Sequence, residues 1–523
     1  MATSKEEPLF FLIKSMSKSE KRHFKLYVNR TSNKENIKFI MLFDALEGMK
    51  SFVESAIFKK VPELKKTQLS NMKAHLYKQI LTSLRLNHIN SNVDIQLREN
   101  LDYARILYNK GLYKQALKML DKNKQLSITA KNNMITLEIL EFEKLIESQY
   151  ITRSIGGRAD ELTNETKYYN KVISQTNEFS NLALQLYGLY LKVGYARNEK
   201  DFLYAQSFLK SNLPKYNYKY LTFYERLYLF QSLVWYNFII QDFVMCYRNA
   251  QKWVNLFHQN PEMVQKEPML YAKGLHNLLA ALFNLQHHDK FCEVLEEMVS
   301  FSKDERYVNN ENLQVVLFLY VYSNKINQHY MEGEFTSGLK LIPSLLQNIE
   351  HYADKLDDHR ILVFYYKIAC LYFGSGDNIN AIKYLQMVID FKDTSLRGDI
   401  HCFARILNLI AHYEEGIDDR LEYHIKSVYH FLGKMDDLQA VQKEIISFLR
   451  KLNRITLDNL KQEFTKLRNK LAKHAKEKYE RRPFLYLDII SWLESKIYNK
   501  PVQLVIKEKR KLGVATLNDR YQL

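Results

Sequence analysis

Apolar side chains recur along most of this chain at three- and four-residue intervals, the period of one face of an α-helix. Ile40, Leu42, Phe43 and Leu46 mark one helix, and Leu69, Met72, Leu76, Ile80, Leu81 and Leu84 mark another. Towards the C-terminus Leu457, Leu460, Phe464, Leu467 and Leu471 predict a helix running to about Glu480. A last helix is predicted from Pro483, carrying Tyr486, Ile489, Ile490, Trp492, Leu493 and Ile497. Ser17-Lys-Ser-Glu20 has the spacing of a capping box and predicts a helix through about Val28. Sheets and hairpins need turn residues, and the 523 residues hold only 15 Gly and 8 Pro, well under the usual usage of about 7% and 5%. The pattern predicts an all-α protein.

The centre of the chain repeats a phrase. Gly111-Leu-Tyr113-Lys-Gln-Ala116 followed by Leu120 places a tight turn before a helix, with small Ala116 allowing close helix contact. The phrase returns as Asp201-Phe202 with Ala205, Asp242-Phe243 with Cys246, Asp289-Lys-Phe291 with Val294, Gly333-Glu-Phe335 with Gly338, Gly376-Asp377-Asn378 with Ala381, and weakly as Arg420-Leu421 with His424. Positions 113, 202, 243, 291, 335, 378 and 421 are separated by 89, 41, 48, 44, 43 and 43 residues. Since 89 is close to two units, a degenerate copy is expected near 133–177, around Gly156-Gly157. A period near 44 marks a stack of helix pairs that bury their apolar faces on one another.

Gly111, Tyr113, Ala116 and Leu120 resemble the second half of the tetratricopeptide motif, and Gly376, Asp377, Ala381 and Leu385 match it in part. The resemblance covers roughly 95–440. It implies a right-handed superhelical solenoid of antiparallel helix pairs, with the period of about 44 in place of the motif's usual 34. In that family the first helix of each pair lines a concave groove. The resemblance therefore implies partner contact at Arg98, Leu101, Arg105 and Tyr108, and in later repeats at Arg197, Gln231, His276, Asn327, Tyr330 and Tyr366. The segments Ser15–Val28 (SMSKSEKRHFKLYV) and Tyr486–Ile497 (YLDIISWLESKI) resemble those of a large, functionally uncharacterised family of Bacteroidota proteins. That likeness implies a bacterial cytoplasmic setting and no activity.

Charge divides the chain differently. The net +17 is the sum of +9 over residues 1–90, −3 over 91–440 and +11 over 441–523. The organisation expected is a basic helical region at 1–90, a repeat array at 91–440, capping helices at 441–499 and a basic, partly disordered tail at 500–523. Cys246, Cys292, Cys370 and Cys402 form no CxxC pair and read as small buried residues in a reducing compartment. The short apolar run at Leu9–Ile13 follows Glu6 and Glu7, which is not the layout of a secretion signal. No stretch approaches the roughly 20 apolar residues of a membrane span, so a cytoplasmic location is expected.

Signs of chemistry are few. The chain has no Gly-rich phosphate loop. Gly156-Gly157, beside Arg153 and Arg158, reads as an interhelical turn. His287, His288, Asp289 and Cys292 sit together but lack HExxH-like spacing, and the plainer reading is again a polar turn; no metal or cofactor is expected. Basic residues around the terminal leucine stripes, among them Lys65, Lys66, Lys73, Lys473, Lys476, Arg481 and Arg482, read first as solvated faces and second as phosphate contacts. The expectation is a non-catalytic scaffold that receives a protein or peptide segment in its groove. The alternative is a nucleic-acid-associated regulator that grips phosphates with its basic ends.

Overall fold

Helices in the computed structural model begin and end where particular residues satisfy the free backbone groups. The model describes residues 7–30, 34–62, 64–89, 92–149, 157–308, 310–391, 398–416, 425–426, 428, 440–451, 457–475, 477, 479 and 488–520. Among these, every regular element is helical. Asn92, Asn198, Asp242, Asn310, Asp357 and Asp377 each accept a hydrogen bond from the backbone N–H three residues on. Such a cap contributes about 1 kcal/mol. Ser17 and Glu20 form the expected capping box.

The stops are as regular as the starts. The first helix of successive pairs gives way to a residue of positive φ: Gly111 (76°), Gly194 (69°), Gln241 (61°), Gln286 (56°), Gly333 (65°), Gly376 (92°) and Gly416 (68°). From Gly194 onward these residues are 40 to 47 positions apart. Glycine adopts this backbone freely, whereas an L side chain strains by about 1–2 kcal/mol. Gln241 offsets that cost with an amide that donates to the Ala196 carbonyl at 3.0 Å.

The chain forms two compact units, Met1–Gln175 and Thr176–Leu523. In the first, α1 (Pro8–Ser15), α2 (Lys18–Asn29), α3 (Lys34–Glu47), α4 (Glu54–Lys60) and α5 (Lys66–His88) enclose Phe24, Leu42, Phe43, Leu46, Leu76 and Ile80. Next come α6 (Val93–Asn109), α7 (Tyr113–Thr129) and α8 (Asn133–Gln149), joined around Leu97, Ala104, Ala116, Leu120, Ile139 and Phe142. The Gly111–Tyr113 phrase thus makes the expected hairpin. Asn123 ties α7 to α6 by donating to the Leu97 carbonyl at 2.9 Å. The carboxylate of buried Glu143 accepts from Arg158 at 2.5 Å and faces Lys124. Burial raises its pKa, opposed by both cations.

Helix α9 (Arg158–Val193) contains the division between the units. The second unit continues with α10 (Glu199–Asn212), α11 (Phe223–Ile239), α12 (Phe243–His258), α13 (Pro261–Lys266), α14 (Pro268–Asn284), α15 (His288–Ser302), α16 (Glu311–Glu332), α17 (Phe335–Gly338), α18 (Ile342–His351), α19 (Asp358–Ser375), α20 (Asn378–Ile389) and α21 (Gly398–Glu414). Each helix packs chiefly on its neighbours in sequence. Polar contacts between helices recur at the same separation: Tyr224–Glu267, Tyr307–Val264, Lys367–Ser323 and His288–Glu332 are 43 or 44 residues apart.

The C-terminal part comprises α22 (Ala440–Lys451), α23 (Leu457–His474), α24 (Ile489–Tyr498) and α25 (Val502–Arg520). Trp492 is fully buried there with its ring edge-on to Phe464. From Val502 the chain carries α25, packed on α16 and α19. Lys507 pairs with Glu334 at 2.7 Å and Lys509 with Glu494 at 2.6 Å. The weak repeat copy at Arg420–His424, Gly156 and the Pro483 helix start lie outside the described residues, while Gly157, with a φ of 84°, directly precedes α9.

Close approach between α17 and α19 depends on Gly374, where an added Cβ would fall 2.2 Å from the Phe335 ring. Gly374→Ala is expected to destabilise the chain by about 1–3 kcal/mol through overpacking. Gly188→Ala, exposed in α9 with nothing within 4 Å of its Cβ position, is expected to stabilise by up to about 1 kcal/mol through helix propensity. Denaturant unfolding of both variants checks the contrast; similar midpoints would contradict it.

Candidate functional site

Helices α11, α14, α16 and α19 are the first members of their pairs, and their polar residues meet across repeats. Lys273 of α14 lies over two rings, with its ammonium 5.2 Å from the centre of Tyr187 and 5.8 Å from that of Trp235. Those two rings are themselves 4.7 Å apart. No acidic side chain pairs with Lys273 among the described residues, and burial lowers its pKa. Cation–π contact replaces part of the lost hydration. One turn further along α14, His276 stacks on Tyr320 of α16, with ring centres 4.0 Å apart and planes within 2°. The Asn324 amide donates to His276 Nδ1 at 3.1 Å and to the Tyr320 carbonyl at 2.8 Å.

Lys367 extends the strip onto α19. Its ammonium donates to the Ser323 carbonyl at 3.5 Å and to Asn327 Oδ1, and lies 5.8 Å from the Tyr330 ring. Tyr330 in turn donates to the Lys367 carbonyl at 2.6 Å. Burial, then Lys367 and Lys273, push the His276 pKa down to about 3. Its imidazole is therefore neutral near pH 7. Trp235 Nε1 and Asn324 Oδ1 are buried without hydrogen-bond partners among the described residues. The strip thus sets aromatic faces beside two lysine side chains. This arrangement suits a carboxylate-bearing, partly apolar ligand.

The structure separates the residues that the resemblance grouped. Gln231, His276 and Tyr366 each stand ten residues before a left-handed turn residue. Gln231 and Tyr366 are buried, and His276 is covered by its stack. Leu101 holds the same register and is buried too. Asn327 and Tyr330 lie beside Lys367 on the strip. Arg197 is not on a first helix at all: it precedes the Asn198 cap of α10 and pairs with Asp201 at 3.1 Å. In the first unit Arg98 is exposed, Arg105 lies over the Phe142 ring at 5.2 Å, and Tyr108 donates to Gln149 at 2.5 Å. Lys273 and Trp235 were missed. A lysine at the register of Arg98, 13 residues before the turn, was the available signal.

At the basic ends, Lys65, Lys66 and Lys473 are exposed, while Lys73 pairs with Glu7 at 2.8 Å. Around Lys473, Lys466 pairs with Glu463, Arg468 with Glu494 and Lys470 with Glu444. Lys476, Arg481 and Arg482 lie outside the described residues. A second polar cluster is less expected. His288 is the first residue of α15, Cys292 lies one turn on, and Glu332 at the end of α16 comes within 2.9 Å of His288. His288, and not Phe291, therefore holds the position equivalent to Phe243, Phe335 and Asn378.

No family model matches the chain, and no solved structure matches it. A Plasmodium berghei protein, eukaryotic translation initiation factor 2-alpha kinase 2, is 22% identical over 298 residues. The aligned part is 55% of this chain and 10% of that protein, so the chain spans about a tenth of its length. The expectation of a chain without catalytic activity is overturned by this likeness to a protein named as a kinase. No described helix is long and apolar enough to cross a membrane.

His276 makes the strip sensitive to acid. Its folded pKa of about 3 lies below the unfolded value of about 6.5, so the unfolded chain binds the extra proton. Stability contributed by neutral His276 is present above pH 6.5 and is lost as pH falls towards 3. His276→Gln is expected to lose less stability than wild type between pH 7 and pH 4.5, read from urea midpoints. Parallel pH profiles would contradict the burial of a neutral imidazole.

Proposed function

We propose that this protein is a cytoplasmic interaction scaffold whose second unit winds as a tetratricopeptide-like superhelix and receives an extended, acidic peptide segment along α11, α14, α16 and α19. The observation that carries the reading is Lys273: an ammonium half-buried over Tyr187 and Trp235, without an acidic partner among the described residues. A buried cation is costly unless paired, and a carboxylate from a partner supplies the missing charge. The half-buried rings of Tyr187 and Tyr320 offer rigid surface to the partner's apolar groups. Left-handed turn residues recurring at 40 to 47 positions support the repeat assignment. Four free cysteines, two of them buried, suit the reducing cytoplasm.

Peptide display against the full chain is expected to enrich segments carrying Asp or Glu among apolar residues. A charge-assisted hydrogen bond contributes about 1.5–3 kcal/mol. Lys273→Glu should therefore weaken an enriched peptide at least about tenfold, with helical circular dichroism unchanged. Peptides that bind wild type and Lys273→Glu alike would contradict the role of this strip.

A further inference from the structure

The turn that opens α15 and the end of α16 bring together three side chains with metal-ligating atoms. His288, Cys292 and Glu332 offer atoms all within 4.8 Å of one another. His288 Nε2 is 3.3 Å from Cys292 Sγ and 2.9 Å from Glu332 Oε1. Tetrahedral Zn2+ with bonds of about 2.0–2.3 Å holds its ligand atoms about 3.3–3.6 Å apart. The His288–Cys292 separation already falls in that range. Thiolate, imidazole and carboxylate together suit a zinc-class cation, whereas Ca2+ and Mg2+ require mostly oxygen.

The surrounding groups strengthen the case. Asp289 Oδ1 is 3.1 Å from His288 Nδ1. Once Arg510 has left the cluster, a carboxylate there favours the proton on Nδ1 and leaves Nε2 to ligate, as second shells of metal-bound histidines do. Gln328 Nε2 donates to Cys292 Sγ at 3.5 Å and to Glu332 Oε1 at 3.0 Å, orienting two ligands at once. His288 and Glu332 side chains each keep about a fifth of their surface exposed, so the cluster is reachable from solvent. The cluster already holds a cation: Arg510 of α25 places Nη2 3.0 Å from His288 Nδ1 and 3.2 Å from Nε2.

We propose that His288, Cys292 and Glu332 bind a zinc-class transition metal, with water completing the coordination, and that the ion displaces Arg510 from the cluster. The Cys292 thiol gives its proton to solvent on binding and His288 ligates as a neutral imidazole. One dication, one thiolate and one carboxylate then sum to zero charge, which cancels the attraction of the Glu332 carboxylate for the guanidinium. Metal and the Arg510 end of α25 are alternative occupants of the same corner.

Cobalt titration of the metal-stripped full chain tests the site. The expected result is one equivalent of Co2+ per chain, with four-coordinate visible bands and a thiolate-to-cobalt charge-transfer band, displaced by Zn2+. Cys292→Ser should abolish the charge-transfer band and, like Glu332→Gln, weaken uptake at least tenfold. Arg510→Ala should tighten uptake several-fold. In the wild-type chain, where folding of a variant is not in question, Zn2+ should protect Cys292 from alkylation, read by the mass of its peptide. No saturable uptake, uptake unchanged in both ligand variants, or an unprotected Cys292 would overturn the site. Uptake no tighter in Arg510→Ala would overturn the displacement.

Discussion

The second unit depends on one backbone constraint, the left-handed residue that ends each first helix. It reverses the chain within two residues, releases the following N-cap, and sets the register in which the second helix packs back. Where the residue is glycine the constraint costs little. Gln241 and Gln286 show that the geometry is kept even where a side chain strains it. With each hairpin fixed in this way, close approach depends on small residues at the crossings. Gly374 stands under Phe335, and an added Cβ on Gly274 would fall 3.0 Å from the Trp253 indole.

The same constraint explains how far the sequence could be read. Gly111-Leu-Tyr113 and Gly376-Asp377 announce their turns because glycine is the residue such a backbone favours. Gln241 and Gln286 announce nothing, since positive φ in glutamine carries no compositional signal. At Gln286 the aromatic Phe291 therefore stood in for His288, and the register slipped by three residues. At Gly194 the Asp201-Phe202 phrase lies a full turn inside α10, which is why Arg197 fell off the first helix. The left-handed residues stay 40 to 47 positions apart through these slips, a spacing set by the length of chain needed to build a helix pair and return.

Site residues were harder to read than the period for a different reason. A first helix in a stack touches neighbours on two sides, so a register shared by several repeats can be an interior one. Leu101, Gln231, His276 and Tyr366 share such a register, and their side chains are covered by the fold itself. Lys273 lies three residues away, rotated by roughly 60° on a helix with about 100° per residue. Glu332 could not be associated with His288 from local sequence, because the two are one repeat apart and meet only after stacking.

Repetition at 43 or 44 residues also places unlike chemistry at equivalent corners. Tyr224–Glu267 and His288–Glu332 both join neighbouring repeats, yet the first is a plain hydrogen bond and the second draws in a thiol. The difference is Cys292, one turn beyond His288, together with Gln328 one turn before Glu332. In a hairpin stack the residue one turn inside each helix points to the same edge as the terminal one, because positions i and i+4 share a face. A single cysteine at that inner position therefore turns an ordinary repeat-to-repeat contact into a three-donor cluster. The strip at Lys273 arises in the same way, through a lysine placed where tilted aromatic rings from two other helices converge.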